Sequence, residues 1–113
     1  MPHIHTQVNL PISREQETAM KTAMGRAIGA IRGKTEAYLM LSFEENARLW
    51  LGGEDSPCAM LEVSLLGGAS HEECDRLTGL LSRIIEETLG VAQSRIYVRY
   101  SMTQEWGWNG AQF

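Results

Sequence analysis

A chain of 113 residues, 43% of them hydrophobic, suffices for one domain with a real but modest core. A net charge of −4 and a pI near 5.3 leave no basic stripe for phosphates, which argues against a nucleic-acid or membrane partner. No apolar run approaches membrane-spanning length, and no positive segment followed by an apolar stretch opens the chain. Cys58 and Cys74 are too few for a disulfide scaffold and read as two reduced, buried thiols, so a cytoplasmic location is expected.

From the N-terminus, His3–Leu10 alternates polar residues at 3, 5, 7 and 9 with Ile4, Thr6, Val8 and Leu10, the period of a half-buried strand that Pro11 stops. Ser13 and Gln16 form a capping box that opens a helix. Its apolar stripe is Met20, Ala23, Met24, Ala27, Ile28 and Ile31, and Gly33 ends it. Tyr38–Phe43 predicts a second strand, Glu44-Glu45-Asn46 a turn, and Arg48–Leu51 a short return strand before Gly52-Gly53. Pro57–Leu66 predicts a longer strand closed by Gly67-Gly68. Ser70 and Glu73 make a second capping box, and Leu77, Leu80, Leu81, Ile84, Ile85 and Leu89 a second helical stripe ended by Gly90. Arg95–Ser101 is the last long strand, with Ile96, Val98 and Tyr100 on one face.

The two halves superimpose with a single offset of 57. Ser13 maps to Ser70, Gly33 to Gly90, Ile4 to Leu61, Leu41 to Val98 and Phe43 to Tyr100, so strand faces agree in parity as well as in order. The chain 1–113 is therefore one α/β domain of the two-layer α+β kind, made of pseudo-repeats 1–56 and 57–113. Each β-α-β crossover is expected to be right-handed and parallel, with both helices on one face of a four-stranded mixed sheet. The uncovered face carries His3, His5, Gln7, Met60, Glu62, Ser64, Tyr97, Arg99 and Ser101. A bare face and open edges point to a closed homo-oligomer.

Chemistry enters at the start of the chain. Once an aminopeptidase removes Met1, Pro2 presents a secondary amine, and an α-amino group titrates near pH ~8. Burial and a neighbouring cation push such a group lower and leave a neutral base at physiological pH. His3 and His5 share a strand face at a spacing that suits a metal, but no third His or Cys stands near in sequence, so no metal is assigned. No other cofactor is called for. His71, in the first turn of the second helix, reads as solvated, and Glu62 as the ion-pair partner of Arg99 or Arg95.

Met1-Pro2, Gly33-Lys34, Asp55–Met60, Arg95–Val98 and Trp106–Gly110 with Phe113, in this order, resemble the macrophage migration inhibitory factor family of the tautomerase superfamily. The resemblance runs nearly end to end, with length differences near residues 67–72 and 101–105. It implies a homotrimer whose sheets surround a central channel, with an active site at each subunit boundary. It implies keto–enol tautomerisation of a small carbonyl acid such as phenylpyruvate, with Pro2 as general base and Lys34 as the cation near the substrate carboxylate. Tyr97 would reach in from the neighbouring subunit. Tyr38, Leu66, Trp106, Trp108 and Phe113 would line the pocket. Ser64 and Arg99, on the uncovered face, are this chain's own further candidates for substrate contact.

Plainer roles stand beside these. Lys34 follows a helix C-terminus, where a cation is favourable without any function, and the three C-terminal aromatics could simply pack the sheet edge. Two departures bear on substrate. Arg99 stands where the cytokine branch has Asn, and Trp106 replaces a small aliphatic residue; both favour an anionic ligand. The family's Cys-x-x-Cys is absent, because Cys58 is followed by Ala59, Met60 and Leu61, so no thiol-oxidoreductase activity is expected. Two alternatives follow from the same resemblance. One is a cytokine-like mimic binding a host receptor, exported without a signal peptide and with vestigial catalysis. The other is a dehalogenase- or decarboxylase-type reaction with protonated Pro2 as acid.

Overall fold

The computed structural model describes all of residues 1–113. The elements in chain order are β1 (Pro2–Val8), α1 (Arg14–Ala27), β2 (Met40–Glu44), β3 (Ala59–Leu66), α2 (His71–Leu89), β4 (Ile96–Thr103) and a hairpin of β5 (Gly107–Trp108) and β6 (Ala111–Gln112). The main sheet has the order β2-β1-β3-β4. Its outer pairs β1–β2 and β3–β4 are parallel and its central pair β1–β3 is antiparallel. Two β-α-β units thus meet back to back, as the offset of 57 predicts, and the mixed sheet with two covering helices is observed.

Local chemistry fixes the helix starts. Ser13 accepts from the Gln16 N–H at 3.1 Å while Gln16 returns a bond to the Ser13 N–H, and Ser70 with Glu73 does the same at α2. Such reciprocal caps satisfy two of the donors a helix start leaves open. Gly90 ends α2 in the left-handed conformation (φ 74°). The core lies between the helices and one sheet face: Ile4, Val8, Leu61, Val63 and Leu65 meet Met20, Met24, Ile28, Leu77, Leu81 and Ile85, all fully buried. Tyr100 ties β4 to α2, its hydroxyl donating to the Cys74 carbonyl and sharing a bond with Thr78 Oγ1, both at 2.9 Å.

Several boundaries differ from the sequence reading. β1 ends at Val8 rather than Leu10, because the chain at 46–47 folds over its end, Ala47 N–H bonding Val8 O and Asn46 N–H bonding Leu10 O. α1 stops at Ala27 and tightens into a 3₁₀ turn over Ile28–Ala30, so Gly33 (φ 79°) shapes the following turn rather than the helix end. Tyr38 belongs to a 3₁₀ turn, Glu36–Tyr38, and β2 begins only at Met40. β3 begins at Ala59, and β4 runs from Ile96 to Thr103. The return strand at 48–51 does not form; Leu51 makes one isolated bridge to Glu54. Arg95 explains why: its guanidinium donates to the carbonyls of Leu51, Glu54, Ser56 and Pro57, holding 51–57 as an irregular loop. Cys58 is buried as expected, whereas Cys74 is only half-buried; both are free thiols.

Candidate active site

The start of the chain enters the sheet where β3 ends. Pro2 is buried and pairs with Leu65, and the Leu66 N–H donates to the Met1 carbonyl at 3.1 Å. Lys34 reaches the same place from the α1–β2 connection, its Nζ donating to the Leu66 carbonyl at 2.8 Å. The Met1 α-amine is held below its usual value, first by burial, then by a hydrogen bond from Lys34 and by that residue's charge. Amine, lysine and the two backbone groups of Leu66 therefore converge on one point.

The pocket aromatics divide by accessibility. β4 runs beside β3 up to the Leu66–Thr103 pair, and the Gly67 N–H bonds Thr103 O at 2.8 Å. Residues 104–113 therefore leave the sheet at the end that carries Pro2. There the Trp106 carbonyl accepts the Phe113 N–H at 2.9 Å, closing the small hairpin. Trp108 stacks on Phe113 and meets the edge of Tyr38, both at ring separations of 6.2 Å. Tyr38, Trp108 and Phe113 are each more than half exposed, so this aromatic wall is open on one side in a single protomer.

Tyr97 and Arg99 stand elsewhere. Tyr97 pairs with Met60, five residues along β3 from Leu65, which is roughly 17 Å at the rise of an extended strand. It borders an apolar recess of about 220 Å³ with Leu49, Trp50, Leu51 and Met60. Arg99 lies on the same face, paired with Glu62 at 3.2 Å; of the two partners expected for Glu62, Arg99 is the one used. Ser64 sits opposite His3 on the uncovered face, one position from Pro2, and makes no side-chain hydrogen bond. The largest cleft, about 650 Å³, is polar and lies between Gly29–Arg32 and the start of α2.

The uncovered face holds one network the sequence reading missed. His3 Nε2 and His5 Nδ1 both bond Ser42 Oγ, at 2.8 and 2.6 Å. His5 Nε2 lies 3.4 Å from Glu44, whose carboxylate also accepts from Gln7 at 2.6 Å. The imidazoles are thus engaged with a hydroxyl, and no cluster of three metal-ligating side chains is present. His3 is held below its ordinary value by burial and then by His5, with Glu62 opposing. The signal lay in β2: Ser42 and Glu44 share parity with His3 and His5 once Met40 opens the strand. His71 is exposed, as read.

A duplicated β-α-β fold whose first strand opens at Pro2, next to Lys34, is an architecture of the tautomerase superfamily. The chain matches the family model for macrophage migration inhibitory factor (MIF) over residues 1–113 and belongs to that family. It is 27% identical over 115 residues to D-dopachrome decarboxylase-B of Xenopus laevis, covering 97% of this chain and 95% of that protein. Among solved structures it is similar to Leishmania major MIF2, with a TM-score of 0.94 and 26% identity over 100% of this chain and 97% of that one. The MIF homologue from Prochlorococcus marinus shares the fold, with a TM-score of 0.85 and 24% identity over 98% of each chain. Family membership supports a tautomerase-type or MIF-like role.

Proposed function

We propose that this chain is a keto–enol tautomerase acting on a small 2-oxo acid of the phenylpyruvate kind, with the Pro2 nitrogen, freed by removal of Met1, as general base. The observation that supports this most is the depressed amine of Met1 beside Lys34: burial and that cation lower it, and the Pro2 nitrogen, one residue on and buried, inherits the same surroundings once Met1 is gone. A base must be unprotonated to act, and both influences favour the neutral amine. An acid role, as in a decarboxylase-type reaction, needs the opposite shift and is disfavoured by the same surroundings.

Removing Met1 also takes away the carbonyl that now accepts the Leu66 N–H. That freed donor and the Lys34 ammonium, which lies on the Leu66 carbonyl, are the pair of donors we assign to the substrate carboxylate. Pro2 takes the proton α to the substrate carbonyl, leaving an enolate, and the protonated Pro2 returns it to the enolate oxygen to give the enol; the reverse sequence ketonises it. Tyr38, Trp106, Trp108 and Phe113 supply the apolar wall that keeps the amine uncharged. Tyr97 and Arg99 complete the site from a neighbouring copy in a homotrimer, since within one chain they lie at the far end of the sheet. The test is ultraviolet-monitored ketonisation of phenylpyruvate, after intact-mass measurement confirms that Met1 is gone. Pro2→Gly is expected to lower kcat/KM at least ~100-fold, the scale of a lost general base. Equal rates in the two proteins would remove the proposal.

A further inference from the structure

We infer that Lys21, Gly25 and Glu36 form a latch that sets the position of Tyr38 in the pocket wall, a positioning role that rests on the reading above. Gly25 is a buried residue in the interior of α1. Its missing side chain is filled from outside: a Cβ built there falls directly against the Glu36 carboxylate. Lys21, one turn earlier on the same helix face, holds that carboxylate from the other side, Nζ to Oε2 at 3.6 Å. Glu36 thus lies across the helix backbone where any larger residue at 25 would exclude it.

What the carboxylate anchors is the turn that carries Tyr38. Glu36–Tyr38 is a single 3₁₀ turn with no side-chain cap, closed by the Leu39 N–H to Glu36 O bond at 3.1 Å and a longer one from the Tyr38 N–H to Thr35 O at 3.4 Å. All three of its residues are exposed. The segment is tied down at Lys34, through its bond to the Leu66 carbonyl, and at Glu36, through α1. The chain's only two lysines therefore both hold this segment, Lys34 from within it and Lys21 through Glu36. Tyr38 passes that constraint on, because its ring sets the edge contact with Trp108, and Trp108 stacks on Phe113.

Gly25→Ala tests this cleanly. Gly25 does not have positive φ, so alanine fits the helix backbone, and in a helix interior alanine is intrinsically the better residue. If Gly25 matters only as a helical residue, the variant melts no lower and its pocket is unchanged. If the latch operates, alanine displaces Glu36 without unfolding α1. KM for phenylpyruvate then rises about 3- to 5-fold, the scale of an exposed ion pair, with kcat within about 2-fold and NOEs between the Tyr38 and Trp108 rings weakened. Lys21→Met is expected to shift KM in the same direction by less. An unchanged KM, or intact Tyr38–Trp108 NOEs in folded Gly25→Ala, overturns the latch. Should wild type prove inactive on phenylpyruvate, the tautomerase reading loses its support while the NOE comparison still decides the latch.

Discussion

Thr6 is the one buried side chain whose polar atom lacks a partner: it is fully buried on the core face of β1, and its Oγ1 finds no acceptor or donor. Alternation placed it correctly among Ile4, Val8 and Leu10, but a sequence pattern carries no information on whether a hydroxyl is satisfied. An orphaned buried hydroxyl costs about 1 kcal/mol or more, and valine has nearly the same shape. Thr6→Val is therefore expected to raise the urea midpoint by the equivalent of about 1 kcal/mol, with m unchanged; a lowered midpoint would mean the hydroxyl has a partner. The opposite condition holds on the adjacent strand, one register position away. Ser42 has one hydroxyl hydrogen and two imidazole neighbours, so one ring donates to its oxygen while the other accepts from it. His3 and His5 were legible as a pair from their spacing; their shared serine was not, because it comes from another strand.

At the scale of elements, what was legible was what is local. Ser13-x-x-Gln16 and Ser70-x-x-Glu73 state the helix starts because a capping box lies within four residues and needs no tertiary partner. The failed strand at Arg48–Leu51 shows the converse: its pattern suits a strand, yet Arg95, 44 residues beyond Leu51, claims the Leu51 carbonyl and those of the loop that follows. Glu73 adds a tertiary duty to its local one. Its carboxylate accepts the Ser70 N–H at 2.8 Å and the Arg32 N–H at 2.7 Å, joining the α1–β2 connection to the start of α2. Those bonds, the one from Ser70 first, lower its pKa to about 2. A carboxyl whose folded pKa is depressed stabilises the fold above its unfolded value, ~4.3, and the contribution vanishes as pH falls through about 2. Calorimetric Tm measured from pH 6 to 2 is expected to fall more steeply for wild type than for Glu73→Gln, the curves converging at the acid end. Parallel curves would show that Glu73 ionisation does not contribute.

The whole molecule is where reading one chain stops. Parity in the repeat gave the uncovered face, and the fold bears it out, with Tyr97, Arg99 and Ser101 exposed along β4. The same register separates Tyr97 from Pro2 by most of the sheet, although the proposed reaction needs both. If each site takes Pro2 and Lys34 from one copy and Tyr97 from the next around a three-fold ring, two variants defective in different residues can repair one another. Pro2→Gly keeps Tyr97, and Tyr97→Ala keeps Pro2. In trimers reassembled from an equal mixture, a site is whole only where a Tyr97→Ala subunit supplies Pro2 and a Pro2→Gly neighbour supplies the tyrosine. Random assembly meets both conditions at about one site in four, so the mixture should recover about a quarter of wild-type ketonisation from two nearly inactive parents. A site contained in one protomer gives no recovery at any mixing ratio. Sedimentation of the mixture, run alongside, separates a failure to reassemble from a failure to complement, and only the second counts against a site shared between copies.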